Sequence, residues 1–293
     1  MSLLRDVLEA GEFAITAEIA PPKGTDLSRE LNCARAIKNK VHGINVTDFQ
    51  SAVLRATSLV TCKLLKDQGA EPIFQITGRD RNRIAIQGEL LAANILGIEN
   101  VLALTGDHTS VGDHPQAKAV YDLDSVGILQ AAQTLMQGKD MAGKPLKGKP
   151  NFYLGACVTP GYEPLELQII KMVKKINSGA RFFQTQAIFD IDTMRRFRDK
   201  TKFLDSKILA GIVPLKSPGM ARYMNKNIPG IHVPEILIRR MEATDHKYRL
   251  KEGMRIAAEL IQKLKEENLC EGVHIMAIGA EENVSCILEM ACL

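Results

Sequence analysis

The chain has 293 residues, of which 45% are hydrophobic and 25% charged, the composition of an ordinary globular protein with a large core, and this argues against general disorder. Its formal net charge of +4 is small and its basic residues are scattered, so a dedicated nucleic-acid binder is not indicated. The first residues, MSLLRDVLEAGEF, are charged throughout, and no stretch reaches ~18 uninterrupted apolar residues. We therefore expect a cytoplasmic protein without a membrane-spanning segment.

Short apolar runs alternate with longer amphipathic runs along the whole chain, and most of the amphipathic runs end in glycine. Eight apolar runs have the length and composition of strands: AITAEIAPP from Ala14, GINVTD from Gly43, EPIFQITG from Glu71, NVLALTGD from Asn100, NFYLGACV from Asn151, ARFFQTQA from Ala180, KILAGIVPL from Lys207 and GVHIMAIG from Gly272. The seventh connection, residues 216–271, is longer than the others and contains at least two helical patterns.

Alternation of strands and helices predicts a parallel sheet with right-handed crossovers. Eight such units favour a closed (β/α)8 TIM barrel made by one domain, residues 1–293. A doubly wound open sheet is the alternative, but no Gly-x-Gly-x-x-Gly follows the first strand. The barrel predicts that functional side chains lie at the carboxyl ends of the strands.

Six cysteines lie in apolar patterns without Cys-x-x-Cys spacing, so we expect buried free thiols and no disulfides. They are Cys33, Cys62, Cys157, Cys270, Cys286 and Cys292.

Two carboxylates stand out at the predicted strand ends. Glu18 lies in a run suited to burial, and burial favours the protonated form that a general acid needs. The alternative is a structural pair with a Lys or Arg of a neighbouring strand. Asp107 ends the fourth strand behind Gly106, which leaves space for a ligand to approach the backbone, although Asp107 could equally cap a turn.

Three other features carry weaker predictions. Gly-Asp-His occurs twice, at 106–108 and 112–114, but this spacing is no recognised ligand pattern and we predict no metal site. The basic segments 79–83 and 174–175 could bind phosphate or could be solvated helix faces. Gln184 and Gln186 alternate on one strand and suit either a heterocycle such as a pterin or structural hydrogen bonds within the barrel.

Several of these segments resemble landmarks of the methylenetetrahydrofolate reductases, in that family's order. They are AEIAPP at Ala17, LTGD at Leu104, the Gly-Ala-x-x-x-x-Thr-Gln pattern from Gly179 followed by IFD, and GIVP at Gly211. The resemblance implies an oxidoreductase acting on a CH–NH bond, in which reduced flavin passes a hydride to methylenetetrahydrofolate and forms methyltetrahydrofolate.

The resemblance also implies roles for individual residues. Glu18 falls on the family's acid, Asp107 on an aspartate beside the flavin and pterin, and Gln186 on the glutamine that faces the pterin. The positions that line the flavin are Thr47, Gln75 in place of a histidine, Thr105, Gly106, Asp107, Tyr121 and Lys175.

At several positions the sequence differs from the family pattern, and some of these differences bear on which electron donor the chain uses. Met220, Met224 and Ala280 replace a glutamine, a phenylalanine and an arginine that contact the folate tail or nicotinamide, which puts NADH as direct donor in doubt. The segment CVTPGYEP, after the fifth strand, lacks the usual aromatic and histidine, so FMN is an alternative to the FAD that the family implies.

The chain looks closest to reductases of anaerobic one-carbon pathways, some of which work with an iron–sulfur partner subunit, and we expect an oligomer. Two alternatives stay open, a flavin-free pterin-binding barrel that transfers a methyl group to a corrinoid protein and a flavin relay subunit.

Overall fold

The strands close into a complete barrel. A computed structural model describes residues 2–293, and in it eight parallel strands pair in sequence order, with the last strand pairing with the first. The strands are β1 (Ala14–Ile19), β2 (Gly43–Val46), β3 (Pro72–Thr77), β4 (Asn100–Leu104), β5 (Tyr153–Val158), β6 (Phe182–Ala187), β7 (Lys207–Ile212) and β8 (Gly272–Ile275). All eight lie within the predicted runs, so the predicted (β/α)8 TIM barrel is confirmed.

Helices surround the barrel and connect its strands. They are α1 (Leu3–Glu9), α2 (Ser28–Ile37), α3 (Ser58–Asp67), α4 (Arg83–Ile95), α5 (Ser125–Met136), α6 (Leu165–Asn177), α7 (Ile191–Thr201), α8 (Pro218–Asn227), α9 (Glu235–Ala243), α10 (Arg249–Glu266) and α11 (Val284–Met290). The long connection between β7 and β8 contains three of them, α8 to α10. Within residues 2–293, every helix is too short or too polar to cross a bilayer.

Side chains alternate between two environments along each strand, as the period of a strand requires. Those that point outward, such as Ile15, Ile44 and Phe74, pack with the surrounding helices in the main apolar cluster. Near the amino ends of the strands, inward side chains such as Ile73 and Phe182 form a second apolar layer. Helix α1 lies against this layer through Leu4, Val7 and Leu8, and it closes that end of the barrel.

The interior becomes polar toward the carboxyl ends of the strands. Buried inward side chains there include Thr16, Asn45, Gln75, Gln184 and His274. Polar side chains are costly to bury and are worthwhile only where they hydrogen-bond or bind something. The fold therefore places its buried polar groups at the end where a TIM barrel carries its chemistry.

The expectation for the cysteines is partly wrong. All six are free thiols, but only Cys62 and Cys270 are buried. Cys292 is exposed because it follows α11 at the surface, beyond the apolar face of that helix.

Candidate active site

Glu18 is the last inward-pointing residue of β1, and its carboxylate is held by Gln75 and His274. Its carboxylate accepts a hydrogen bond from Gln75 Nε2 at 3.5 Å, and His274 Nε2 lies 3.5 Å from the same oxygen, Oε2. Gln75 also donates to Asn45 Oδ1 at 3.4 Å. The Glu18 side chain keeps 12% of its surface exposed, so it is accessible from the barrel mouth.

The hydrogen bonds around His274 define its tautomer. Asn45 Nδ2, which can only donate, lies 3.2 Å from His274 Nδ1, and Thr16 Oγ1 lies 3.0 Å from the same nitrogen. Nδ1 is therefore the acceptor in the neutral ring, and Nε2 carries the proton that faces Glu18. The strand register explains this arrangement, because Glu18 pairs with Asn45 and Thr16 pairs with His274 on adjacent strands.

The structural alternative for Glu18 is not what the structure shows. Over residues 2–293, its only ion-pair neighbour is His274, and no Lys or Arg nitrogen lies within 4.0 Å. The contacts of the Glu18 carboxylate are therefore the side chains of Gln75 and His274 and not a Lys or Arg of a neighbouring strand.

Asp107 follows β4 at the rim of the barrel. Its side chain is exposed, and in the described part of the chain its carboxylate makes no hydrogen bond or ion pair, so it is not a turn cap. Gly106 has φ +89°, and a Cβ there would lie 3.2 Å from the Cβ atoms of Thr77 and Arg79. The chain therefore needs glycine at this position to bring Asp107 over the mouth.

Tyr121 lies beside this strand end in an unusual backbone conformation. It has φ 44°, and its hydroxyl donates to the Gly106 carbonyl at 3.3 Å. Its ring stacks on His108 with centroids 6.4 Å apart, and burial raises its pKa. A positive φ is rare for a bulky residue and clusters at binding sites, which is consistent with the predicted place of Tyr121 near a ligand.

Near the carboxyl ends of the strands, two buried polar atoms have no partner in the described chain. They are Thr47 Oγ1 at the end of β2 and Gln184 Nε2 inside β6, on residues that are each 2% exposed. Buried polar groups without partners are rare in native proteins. These atoms fit a bound polar heterocycle such as a flavin or pterin, because either ring system offers donors and acceptors along its edge.

Three other residues that the family resemblance assigns to the site, Gln186, Thr105 and Lys175, do not take part in the hydrogen bonds around Glu18. Gln186 is exposed at the mouth, whereas Thr105 Oγ1 accepts a hydrogen bond from the backbone N–H of Ser125 at 3.2 Å and so caps α5. Lys175 Nζ donates to the carbonyl of Cys157 at 2.7 Å, and burial lowers the pKa of Lys175. This hydrogen bond connects Lys175 to β5 and not to the group around Glu18.

The arginines of residues 79–83 each bind a carboxylate of the chain. Arg81 binds Asp48 through two hydrogen bonds of 2.7 and 3.0 Å, and Arg79 binds Asp80 and two backbone carbonyls. Arg83 pairs with Asp122 at 2.7 Å. Each guanidinium already has a carboxylate partner, so the structure gives this segment a structural role, and phosphate binding there stays a prediction.

The repeated Gly-Asp-His segment lacks a metal-site arrangement. His108 Nδ1 lies 2.9 Å from Ser110 Oγ, and Asp113 is held by Lys23, by the Leu54 backbone N–H and by His114. Nowhere in residues 2–293 do three or more His, Cys, Asp or Glu side chains form a group that could hold a metal ion. The second copy instead connects the loops that follow β1, β2 and β4.

Comparison with known proteins assigns the family. A sequence model described as methylenetetrahydrofolate reductase matches residues 3–292. The chain belongs to the methylenetetrahydrofolate reductase family. Members of this family are oxidoreductases and are generally flavin-dependent.

Individual members of the family are distant in sequence. The 5,10-methylenetetrahydrofolate reductase of Salmonella typhimurium is 22% identical over 270 residues, covering 88% of this chain and 84% of that protein. Methylenetetrahydrofolate reductase 2 of Schizosaccharomyces pombe is 23% identical over 98% of this chain, which spans 46% of that longer protein. A solved structure from Clostridium thermocellum, described as an uncharacterized protein that binds two copies of 5-methyl-5,6,7,8-tetrahydrofolic acid, superposes with a TM-score of 0.63 at 17% identity, covering 99% of this chain and 98% of that one.

Two of the departures from the methylenetetrahydrofolate reductase pattern, Met220 and Met224, lie on α8. Met224 is 5% exposed inside an apolar cluster with Ile231 and Val233, whereas Tyr223 beside it is 62% exposed. Met224 is therefore a core residue, and its side chain is not presented to solvent for stacking.

Proposed function

We propose that this chain reduces methylenetetrahydrofolate to methyltetrahydrofolate, with Glu18 as the general acid. The observation that carries the proposal is the Glu18 carboxylate at the barrel mouth, held by Gln75 and His274, with no Lys or Arg nitrogen of residues 2–293 within 4.0 Å. Family membership supports the reaction, and the methyltetrahydrofolate bound by the Clostridium thermocellum protein supports the ligand class.

The acid acts at the nitrogen that leaves when the five-membered ring of the substrate opens. In methylenetetrahydrofolate one carbon bridges N5 and N10, and opening the ring to the N5 iminium requires a proton on N10. Glu18 supplies that proton. His274 Nε2–H and Gln75 Nε2–H then stabilise the carboxylate that remains, because both are oriented toward Oε2.

Asp107 acts on the charge that ring opening creates. The iminium is a cation, and the exposed Asp107 carboxylate, which has no hydrogen-bond or ion-pair partner within residues 2–293, is free to face it. Because Asp107 follows Gly106, which has no side chain, a flat ligand can approach the backbone closely there. Gln186 at the same mouth provides an amide that can donate to and accept from the pterin edge.

Flavin is the cofactor that the family implies, and the residues present fit it. Thr47 and Gln184 offer buried polar atoms that have no partner in the part of the chain that the structure describes, while Tyr121, Thr105 and Gly106 line the rim after β4. When bound, reduced flavin supplies the hydride that converts the iminium carbon to a methyl group. FAD follows from the family and FMN is the alternative; an iron–sulfur partner subunit and an oligomer stay predictions.

The acid is tested by the variant Glu18→Gln, which keeps the shape of the side chain. We expect the rate at which methylenetetrahydrofolate reoxidises the reduced flavin to fall by about 10²–10⁴-fold, the usual contribution of a general acid. Flavin content should not change. Glu12→Gln, an exposed carboxylate just before β1, is the matched control. Full activity of Glu18→Gln would reject the assignment of the acid.

The cofactor is tested by the absorption spectrum of the purified protein and by identification of the released flavin. Anaerobic mixing of the reduced protein with methylenetetrahydrofolate should reoxidise the flavin. Bound flavin that stays reduced would support the relay subunit. Protein without flavin that binds methyltetrahydrofolate would support methyl transfer.

A further inference from the structure

Arg79, just after β3, is the largest of the almost completely buried side chains in residues 2–293. Its side chain is only 2% exposed, although it carries a charge. A buried cation is costly unless its charge is paired and its N–H groups are hydrogen-bonded. The contacts of Arg79 therefore indicate why the fold keeps a guanidinium at this end of the barrel.

The guanidinium joins the chain that follows three neighbouring strands. Asp80 pairs with Nη2 at 2.8 Å and also accepts from Nε, so the charge is offset by the next residue. Nη1 donates to the carbonyl of Asp107, after β4, and Nη2 donates to the carbonyl of Phe49, after β2, each at 3.2 Å. Because the guanidinium is planar and rigid, it fixes the position of the β4 end relative to the β2 end.

Both carbonyls belong to irregular backbone at the barrel mouth. Phe49 has φ 47°, which is rare for a bulky residue and persists only where surrounding contacts determine it. Asp107 follows Gly106, which has φ 89°. The backbone carbonyl of Arg79 also accepts a hydrogen bond from the Val120 N–H at 2.7 Å. Arg79 thus contacts every segment that surrounds the β4 end on the β2 and β3 side.

The hydrogen bond to Asp107 is made to its backbone and not to its carboxylate. A salt bridge to the carboxylate would offset the negative charge that the proposed function requires of Asp107. A hydrogen bond to the carbonyl fixes the place of the residue and leaves that charge available. Asp80 takes up the charge of the guanidinium, so Arg79 does not compete with a cationic ligand for Asp107.

We infer that Arg79 is a positioning residue, which holds the backbone of Asp107 so that the carboxylate faces the iminium cation. The inference rests on the proposed function, which places that cation beside Asp107. Preorganised charges stabilise a transition state because they need no rearrangement when the opposite charge develops. Without Arg79, Asp107 keeps its charge but loses its fixed place.

A double-mutant cycle tests whether Arg79 acts through Asp107. Each variant is loaded with the flavin that the wild type binds, and the rate constant for reoxidation of the reduced flavin by saturating methylenetetrahydrofolate is measured. In the wild type, we expect Asp107→Asn to lower this rate constant by about 10²-fold, the effect of losing one preorganised electrostatic contact. In the Arg79→Lys background the same change should lower it by about 10-fold or less, since groups that act as a unit are not additive.

The lysine variant keeps the charge beside Asp80, but an ammonium lacks the planar fork that reaches two carbonyls. Arg81→Lys is the matched control, because Arg81 is also buried in this segment and binds Asp48 instead of the β4 end. In that background Asp107→Asn should keep its effect of about 10²-fold. If Arg81→Lys diminishes the effect as much as Arg79→Lys does, the role of Arg79 is only general support, and the inference is overturned.

The outcomes separate the inference from the proposed function. Equal effects of Asp107→Asn in the wild type and in Arg79→Lys overturn the inference while the proposed function stands. If Asp107→Asn has no effect in the wild type, the inference is overturned, but the reaction and the role of Glu18 stand. Wild-type flavin that the substrate does not reoxidise overturns both. Circular dichroism shows whether each variant has folded, and Arg79→Gln provides a second reading if Arg79→Lys does not fold.

Discussion

Two arginines in the loop after β3 differ in what their ion pairs contribute to stability. Arg81 binds Asp48, whose side chain is fully buried, whereas Arg83 and Asp122 pair at the surface. We expect Arg81→Met to lower the free energy of unfolding by about 3–5 kcal/mol, because the buried carboxylate loses its cation and keeps only the hydrogen bonds from the Thr77 N–H and hydroxyl. Arg83→Met should cause little change, since exposed pairs are screened by solvent. Urea denaturation measures both, and equal losses would contradict the argument.

The residue proposed as the acid stood out in the sequence, but its neighbour His274 did not. A glutamate inside an apolar strand is unusual, so Glu18 stood out. His274 is the third residue of a four-residue strand and looks like any buried histidine. It becomes informative only through the register, which sets Thr16 against His274 and Glu18 against Asn45. Register between distant strands is a property of the closed barrel and is not encoded in either segment alone.

At the scale of elements, the strands were predictable because each is a short apolar run bounded by polar or glycine-rich segments. The loops at the barrel mouth were not. Phe49, Ser51 and Ala52 after β2 all have positive φ, although none is glycine. A Cβ at Gly112 would lie 1.9 Å from the Ala52 carbonyl oxygen, so packing of the β4 loop against the β2 loop holds this conformation. Tertiary contact, and not local preference, determines the backbone there.

Helix α1 is an element whose role appears only in the structure, because its sequence looks like a charged terminus. Leu8 is fully buried against the apolar layer near the amino ends of the strands, whereas Leu3 on the same helix is 46% exposed. We expect Leu8→Ala to lower the free energy of unfolding by about 2–5 kcal/mol through loss of packing and creation of a cavity. Leu3→Ala should change it little. Denaturant titration checks this difference, and folate binding by Leu8→Ala should persist because α1 closes the end opposite the site.

Across the whole molecule, one end of the barrel interior provides stability and the other provides chemistry. The apolar layer near the amino ends of the strands packs closely with the apolar face of α1. The layer at the carboxyl ends of the strands contains polar side chains, and two of these, Thr47 and Gln184, have buried atoms without a partner among residues 2–293. Leaving such atoms unpaired costs free energy in the ligand-free protein. A bound flavin that satisfies them would therefore stabilise the entire barrel, because only the folded state binds it.

The variant Thr47→Val tests this coupling, because it removes the unpartnered hydroxyl while nearly keeping the shape of the side chain. In the flavin-free protein we expect an unchanged or slightly higher melting temperature. With flavin at about 100 times its dissociation constant, the wild type gains about 2.7 kcal/mol. A variant that binds flavin about 10-fold more weakly gains about 1.3 kcal/mol less. Melting curves with FMN and with FAD measure the gain, and Thr25→Val, at an exposed threonine, is the control. An identical flavin-induced shift in Thr47→Val and wild type would show that the hydroxyl does not contact the cofactor.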